Sequence, residues 1–69
     1  MEIFAERINE LRKEKGMSLR VVAKMLDISH VSLLRYERAE ANPPLKTLVK
    51  LSEIFSTSTD YLLGKTDVP

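Results

Sequence analysis

The sequence contains no cysteine, a single histidine and only two glycines among its 69 residues. Without cysteine the chain forms no disulfide, offers no thiolate ligand to a metal and has no Cys nucleophile. The one histidine, His30, argues against a histidine-rich metal cage or a Ser-His-Asp triad, although carboxylates alone are able to hold a cation. We therefore expect a protein that is not an enzyme and that uses no cofactor or metal.

Long hydrophobic runs are also missing from the sequence. The longest, such as Tyr61–Leu63, are far too short to span a membrane, and the first residues lack the basic start of a secretory signal. Apolar residues make up 43% and charged residues 30% of the chain, a balance typical of a folded protein. We expect one small binding domain at residues 1–64, soluble and cytoplasmic, followed by a flexible tail at residues 65–69.

The spacing of apolar residues predicts an all-α domain, because little β-branched alternation appears and helical spacing recurs. Ser18, Ser29 and Ser58 are suited to cap the second, third and fifth helices. Gly16 and Gly64 follow the first and last helices, where a left-handed residue ends a helix. The predicted helices cover residues 2–15, 19–26, 30–38, 45–55 and 59–63.

The second and third predicted helices are joined by a very short link. Only Ile28 and Ser29 separate Asp27, where the chain must turn, from the third helix, so the two helices meet at a steep angle. Helix, tight turn and helix in this order form a helix-turn-helix arrangement.

Five segments of the sequence occur in an order and at a spacing that, taken together, are characteristic of one protein family. They are Arg7–Ser18, Val22–Ser29, Arg35–Arg38, Leu45–Leu51 and Asp60–Asp67. In these pieces the chain resembles, over almost its whole length, the Cro/cI-type (XRE-family) helix-turn-helix domain of phage repressors and bacterial regulators. The resemblance implies a five-helix, lambda-repressor-like domain with helices 2 and 3 as the helix-turn-helix. It also implies a transcriptional regulator, here a repressor, that binds a palindromic DNA operator as a homodimer with helix 3 in the major groove.

The resemblance places the DNA-reading residues on the third helix and just after it. The planar fork of Arg35 matches O6 and N7 of guanine, and Val31 suits the methyl group of thymine. The family contacts the phosphate backbone near the loop between helices 3 and 4, and such contacts position the protein without reading sequence. The predicted DNA-binding residues are Ser29, His30, Val31, Ser32, Arg35, Arg38, Asn42 and Lys46.

Two further groups of residues follow from the resemblance. Arg12 and Glu37 match an ion pair that ties the first helix to the end of the third, orienting the recognition helix where the pair is partly buried. We expect Tyr61, Leu62 and Leu63 to be partly core, but they lie close to the C-terminus and, as in the family, are candidates for a dimer surface.

Three positions depart from the family pattern. Leu19 replaces a glutamine that begins the second helix, and Asp27 and Ala39 replace glycines in turns, which predicts local strain or a shifted turn. Leu19, Val31 and Leu34 all fall on the face expected to meet DNA. An apolar patch there favours an alternative function, a protein-interaction module such as an antirepressor, antitoxin or docking domain. A second interpretation is that one or two of these residues pack into or over the core.

No strong excess of charge of either sign is present, because the net charge of the chain is +1. The helix-turn-helix segment nevertheless carries Arg20, Lys24, Arg35 and Arg38 against only Asp27 and Glu37. The positive surplus therefore lies in this segment, which is the expected location of a DNA contact.

Overall fold

The computed structural model describes residues 2–69, and this part of the chain is all-helical. Its five helices are α1 (Glu2–Glu14), α2 (Leu19–Leu26), α3 (His30–Glu37), α4 (Leu45–Ile54) and α5 (Thr59–Leu62). The all-α prediction and the start of each helix are confirmed. Every helix except α2 ends one residue earlier than predicted, because the last predicted residue belongs to the turn that closes the helix.

Serine caps begin three of the helices, as the sequence predicts. The Oγ atoms of Ser18, Ser29 and Ser58 accept hydrogen bonds from backbone N–H groups three residues further on, at 3.1, 3.1 and 3.0 Å. Each bond satisfies an N–H group that has no partner inside its helix. The helices α2, α3 and α5 therefore have well-defined first turns.

The same backbone motif closes all five helices. A residue in the left-handed region ends each helix, and the next N–H group donates to the carbonyl five residues earlier, as in Ile28 to Ala23 at 3.0 Å. The left-handed residues are Gly16, Asp27, Ala39, Ser56 and Gly64. Asp27 and Ala39 keep positive φ values of 57° and 59°, so the loss of the family glycines produces local strain rather than a shifted turn.

Gly64 is required for a second reason, the close approach of α1. A Cβ atom at residue 64 would lie 2.6 Å from Cγ2 of Ile3, which is far inside van der Waals contact. The glycine thus permits both the left-handed turn after α5 and the packing of that turn on the first turn of α1.

All five helices contribute side chains to one core. The helix α2 packs on α3 and α4, while α1 packs on α3 and α5. Burial of each large apolar side chain stabilises the fold by about 1.5–3 kcal/mol. The fully buried large side chains are Phe4, Ile8, Val22, Leu33, Leu51 and Leu62. This core holds α2 and α3 in a fixed relation and leaves their outer faces exposed.

None of the helices in residues 2–69 is both long enough and apolar enough to cross a membrane.

Candidate nucleic-acid interface

The N-terminal turn of α3 carries two serines that bond to each other. Ser29 Oγ accepts from the backbone N–H of Ser32 and donates its own hydrogen to Ser32 Oγ at 3.0 Å. Ser29 Oγ therefore caps the helix, and one hydroxyl hydrogen of the pair remains available to an outside acceptor. Both residues were predicted to meet DNA.

The outer face of α3 presents an apolar residue and an arginine one turn apart. Val31 is 55% exposed and Arg35 is also exposed, and their i, i+4 spacing places them on the same side of the helix. Neither of the two ion pairs in the described part of the chain involves Arg35. The Val31 methyl groups and the Arg35 guanidinium are therefore both accessible to solvent, a combination suited to contacts with base edges.

Arg38, Asn42 and Lys46 form the second predicted group of DNA contacts. All three are exposed, and they occupy in turn the end of α3, the following loop and the first turn of α4. Their donors are therefore accessible to an anion on the side of the molecule where α3 ends.

An open pocket lies where α2 meets the start of α3. Two residues already predicted from the sequence, Ser29 and His30, form part of its lining. Arg20 and Lys24 also line it, one turn apart on the exposed side of α2. The sequence prediction of DNA contacts missed both of these basic residues. Their i, i+4 spacing and the local charge surplus were the signals that would have found them.

The predicted pair of Arg12 and Glu37 is a buried, two-pronged ion pair. Arg12 Nε lies 2.7 Å from Glu37 Oε2, and Arg12 Nη2 donates to Glu37 Oε1 at 3.1 Å. Only 12% of the Arg12 side chain and 4% of the Glu37 side chain are exposed. The hydrogen bond to Glu37 raises the pKa of the Arg12 guanidinium.

Two additional hydrogen bonds extend this pair into a network. Asn9 Nδ2 donates to Glu37 Oε1 at 2.7 Å, and Arg12 Nη1 donates to the backbone carbonyl of Met17 at 2.9 Å. Met17 immediately precedes Ser18, the cap of α2. Arg12 therefore fixes the start of α2 and the end of α3 to the same point on α1, which orients the helix-turn-helix.

The three residues of the predicted apolar patch differ in exposure. Leu19 packs against the core and is only partly exposed, and Leu34 is also partly buried. Only Val31 is more than half exposed. For Leu19 the structure agrees with the second interpretation, because its side chain packs against the core at the start of α2 while remaining partly exposed.

The candidate dimer surface near the C-terminus needs one correction. Leu62 is 0% exposed and belongs to the core, so it is not available to a second chain. The inward-facing side of α5 packs on α1 and α4, and Leu62 occupies that side. Leu63 is 38% exposed, and Tyr61 is half-buried beneath Arg7.

Arg7 was not predicted to have a role, yet it holds the segment after α5. Its guanidinium lies 4.0 Å from the centre of the Tyr61 ring and donates to the backbone carbonyl of Tyr61. It also donates to the carbonyl of Thr66 at 2.8 Å and to Asp67 Oδ1 at 2.9 Å. The predicted flexible tail at residues 65–69 is thus bound to α1 as far as Asp67.

Comparison with known proteins agrees with this architecture. A family model described as helix-turn-helix matches residues 8–62. The transcriptional regulator ImmR of Bacillus subtilis is 41% identical over 65 residues, which cover 94% of this chain and 51% of ImmR. The prophage-derived regulator YonR of the same organism is 44% identical over 64 residues, covering 93% of this chain and 59% of YonR. The chain thus spans between half and three-fifths of the length of these relatives.

A solved structure with the same fold is that of the P22 c2 repressor protein in complex with a synthetic operator. The two superpose with a TM-score of 0.84 and 32% sequence identity, over 90% of this chain and 94% of that chain. The chain belongs to the XRE-type helix-turn-helix family of transcriptional regulators, as its sequence predicts. Members of this family are regulators rather than enzymes, so the prediction of a non-enzymatic protein is also confirmed.

Proposed function

We propose that this chain is the sequence-specific DNA-binding domain of a transcriptional repressor. In this proposal α3 enters the major groove of an operator and the surrounding basic residues contact its phosphates. The observation that carries the proposal is the exposed face of α3, where Arg35 stands beside Val31 with no ion-pair partner among the described residues. The crystallised P22 c2 repressor, which has the same fold, is bound to a synthetic operator.

In the proposed complex each group of residues has a distinct task. Arg35 donates two parallel hydrogen bonds to a guanine, which discriminates against other bases by about 1–3 kcal/mol, and Val31 packs against a thymine methyl. His30 and Ser32 lie at the start of α3, the part of a recognition helix that approaches base edges.

Phosphate contacts surround this base-reading face. Arg38, Asn42 and Lys46 lie beyond the end of α3, and Arg20 and Lys24 lie on the flank of α2. Basic groups on both sides of α3 are arranged to neutralise phosphates on the two sides of one major groove. The Arg12–Glu37 network keeps α2 and α3 in the orientation that this double contact needs.

We further propose that two copies bind a palindromic operator, with their recognition helices about 34 Å apart, one turn of DNA. Leu63, which is 38% exposed, and the half-buried Tyr61 remain the candidates for the contact between copies. Such a regulator acts in the cytoplasm, at the nucleoid. The chain spans about half to three-fifths of the length of ImmR and YonR, so the proposal concerns only the DNA-reading domain.

A gel mobility-shift titration of Arg35→Ala and Arg35→Lys tests the proposal. On DNA selected by the wild-type protein, Arg35→Ala is expected to bind about 5- to 150-fold more weakly, the range that corresponds to a lost bidentate contact. Arg35→Lys keeps the charge but loses the planar fork, so it should retain phosphate attraction and lose the preference for guanine.

Lys13→Ala is the matched control, because Lys13 is an exposed basic residue near the end of α1. It removes one positive charge at a position outside the proposed interface, and its affinity should change little. Unchanged affinity and unchanged base preference in Arg35→Ala would overturn the role assigned to Arg35.

A further inference from the structure

Asp27 places a carboxylate in the otherwise basic pocket between α2 and α3. The charged side chains that line this pocket with it are Arg20 and Lys24, and His30 completes the titratable groups there. The Asp27 side chain is exposed, and it takes no part in the two ion pairs that the described residues form. Its negative charge is therefore not neutralised by a direct partner and acts on whatever enters the pocket.

The turn itself does not need this carboxylate. The chain reverses through backbone bonds, from Asp27 N–H to the Lys24 carbonyl at 3.1 Å and from Ile28 N–H to the Ala23 carbonyl at 3.0 Å. Asp27 has φ 57° and ψ 44°, a conformation that glycine and asparagine adopt with less strain. Aspartate thus adds nothing visible to the closure of α2, while it opposes the entry of an anion into the pocket.

We propose that Asp27 reduces the affinity of the α2–α3 pocket for a DNA backbone phosphate. This inference rests on the proposed DNA-binding function. A phosphate is the same in every sequence, so the carboxylate weakens binding to all duplexes by a similar factor and leaves base preference unchanged. In this proposal Asp27 tunes the affinity of the protein for the DNA backbone, whereas Arg35 determines which base sequence the protein prefers.

The test measures binding of Asp27→Asn to a mixed-sequence duplex and to a duplex selected by the wild-type protein. Asparagine removes the charge, has the same shape and tolerates the left-handed turn. At about 50 mM salt we expect binding two- to fivefold tighter than wild type on both duplexes, the scale of one charge acting through water over several ångströms. At about 300 mM salt the gain should shrink, because the interaction is screened.

Glu53→Gln provides the matched control. Glu53 is an exposed carboxylate in the last turn of α4, seven residues beyond Lys46, which places it about 10 Å further along the helix axis. Glu53→Gln changes the net charge by the same amount on a helix that contributes no residue to the pocket, and we expect less than half of the gain seen for Asp27→Asn. Asp27→Gly neutralises the same position with a different backbone preference and should reproduce the gain, which separates charge from conformation.

The outcomes are distinct. Equal effects of Asp27→Asn and Glu53→Gln, a gain that persists undiminished at high salt, or an altered base preference would each overturn the role of Asp27. If neither the wild type nor Asp27→Asn binds any duplex at low salt, the proposed DNA-binding function itself is wrong, and this inference is overturned with it. If Asp27→Asn binds both duplexes more tightly than the wild type and this gain in affinity shrinks at high salt, the result supports both the DNA-binding function and the role of Asp27.

Discussion

Two arginines on α1 anchor opposite parts of the molecule, and they do so in different ways. Arg7 and Arg12 are equally buried, each with 12% of its side chain exposed. Arg12 faces Glu37, a carboxylate with only 4% exposure, at the end of α3. Arg7 faces two backbone carbonyls, an aromatic ring and Asp67, a carboxylate that is 99% exposed.

The difference lies in what remains if each arginine is removed. Without Arg12 the buried Glu37 carboxylate keeps only Asn9 as a partner, and an unpaired buried charge is costly. Without Arg7 the exposed Asp67 carboxylate is already hydrated, and only the carbonyl bonds and the ring contact are lost. The helix-turn-helix therefore depends on a largely buried ion pair, while the C-terminal segment depends on weaker, dispersed contacts.

The largest effect is expected for Arg12→Met. This change keeps the apolar stem but leaves Glu37 without its cation, so the free energy of unfolding should fall by about 3–5 kcal/mol. A small domain has only about 5–15 kcal/mol in total, so the variant should be partly unfolded near 37 °C. Urea denaturation followed by circular dichroism measures the loss, and a decrease below about 1 kcal/mol would show that the network carries little stability.

A smaller effect is expected for Arg7→Met. The lost contacts are charge-assisted bonds to two carbonyls and a cation–π contact near the surface, which together correspond to about 1–3 kcal/mol. Amide hydrogen exchange should show faster exchange at residues 64–67 and unchanged exchange in α2 and α3. Equal destabilisation by Arg7→Met and Arg12→Met would remove the distinction between the two anchors.

The smallest effect is expected for Asp67→Asn. Its carboxylate is almost wholly exposed, so the ion pair with Arg7 is screened by water and salt and contributes little. The urea midpoint should match that of the wild type within the error of measurement. A clear decrease would indicate that the charge of Asp67, rather than the backbone of the segment, secures the tail.

Local features of the fold were predictable because their signals are local. Ser18, Ser29 and Ser58 cap helices through contacts three residues away, and the left-handed turns at Gly16 and Gly64 follow from a residue type that favours them. The helix-turn-helix is also a local arrangement of two helices and a short link. The face of α3 that carries Val31 and Arg35 follows from helical spacing alone.

Contacts between distant parts of the chain were not predictable in the same way. Arg7 appeared to be one of several mixed charges on α1, since its partners lie 54 to 60 residues further along the chain. Leu62 was predicted to be partly core and also a dimer candidate, because its complete burial arises only when α5 packs on α1 and α4. Leu19 could be interpreted as exposed or as covering the core, and only the packing of α2 decides between the two.

Selection of bound sites from random-sequence DNA by the wild-type chain tests the central proposal most directly. We expect enrichment of a palindrome whose half-sites are about 10 base pairs apart, each containing a guanine whose preference disappears in Arg35→Ala. Recovery of DNA without any enriched sequence, or the same enriched guanine with Arg35→Ala, would contradict the proposal that α3 reads bases through Arg35.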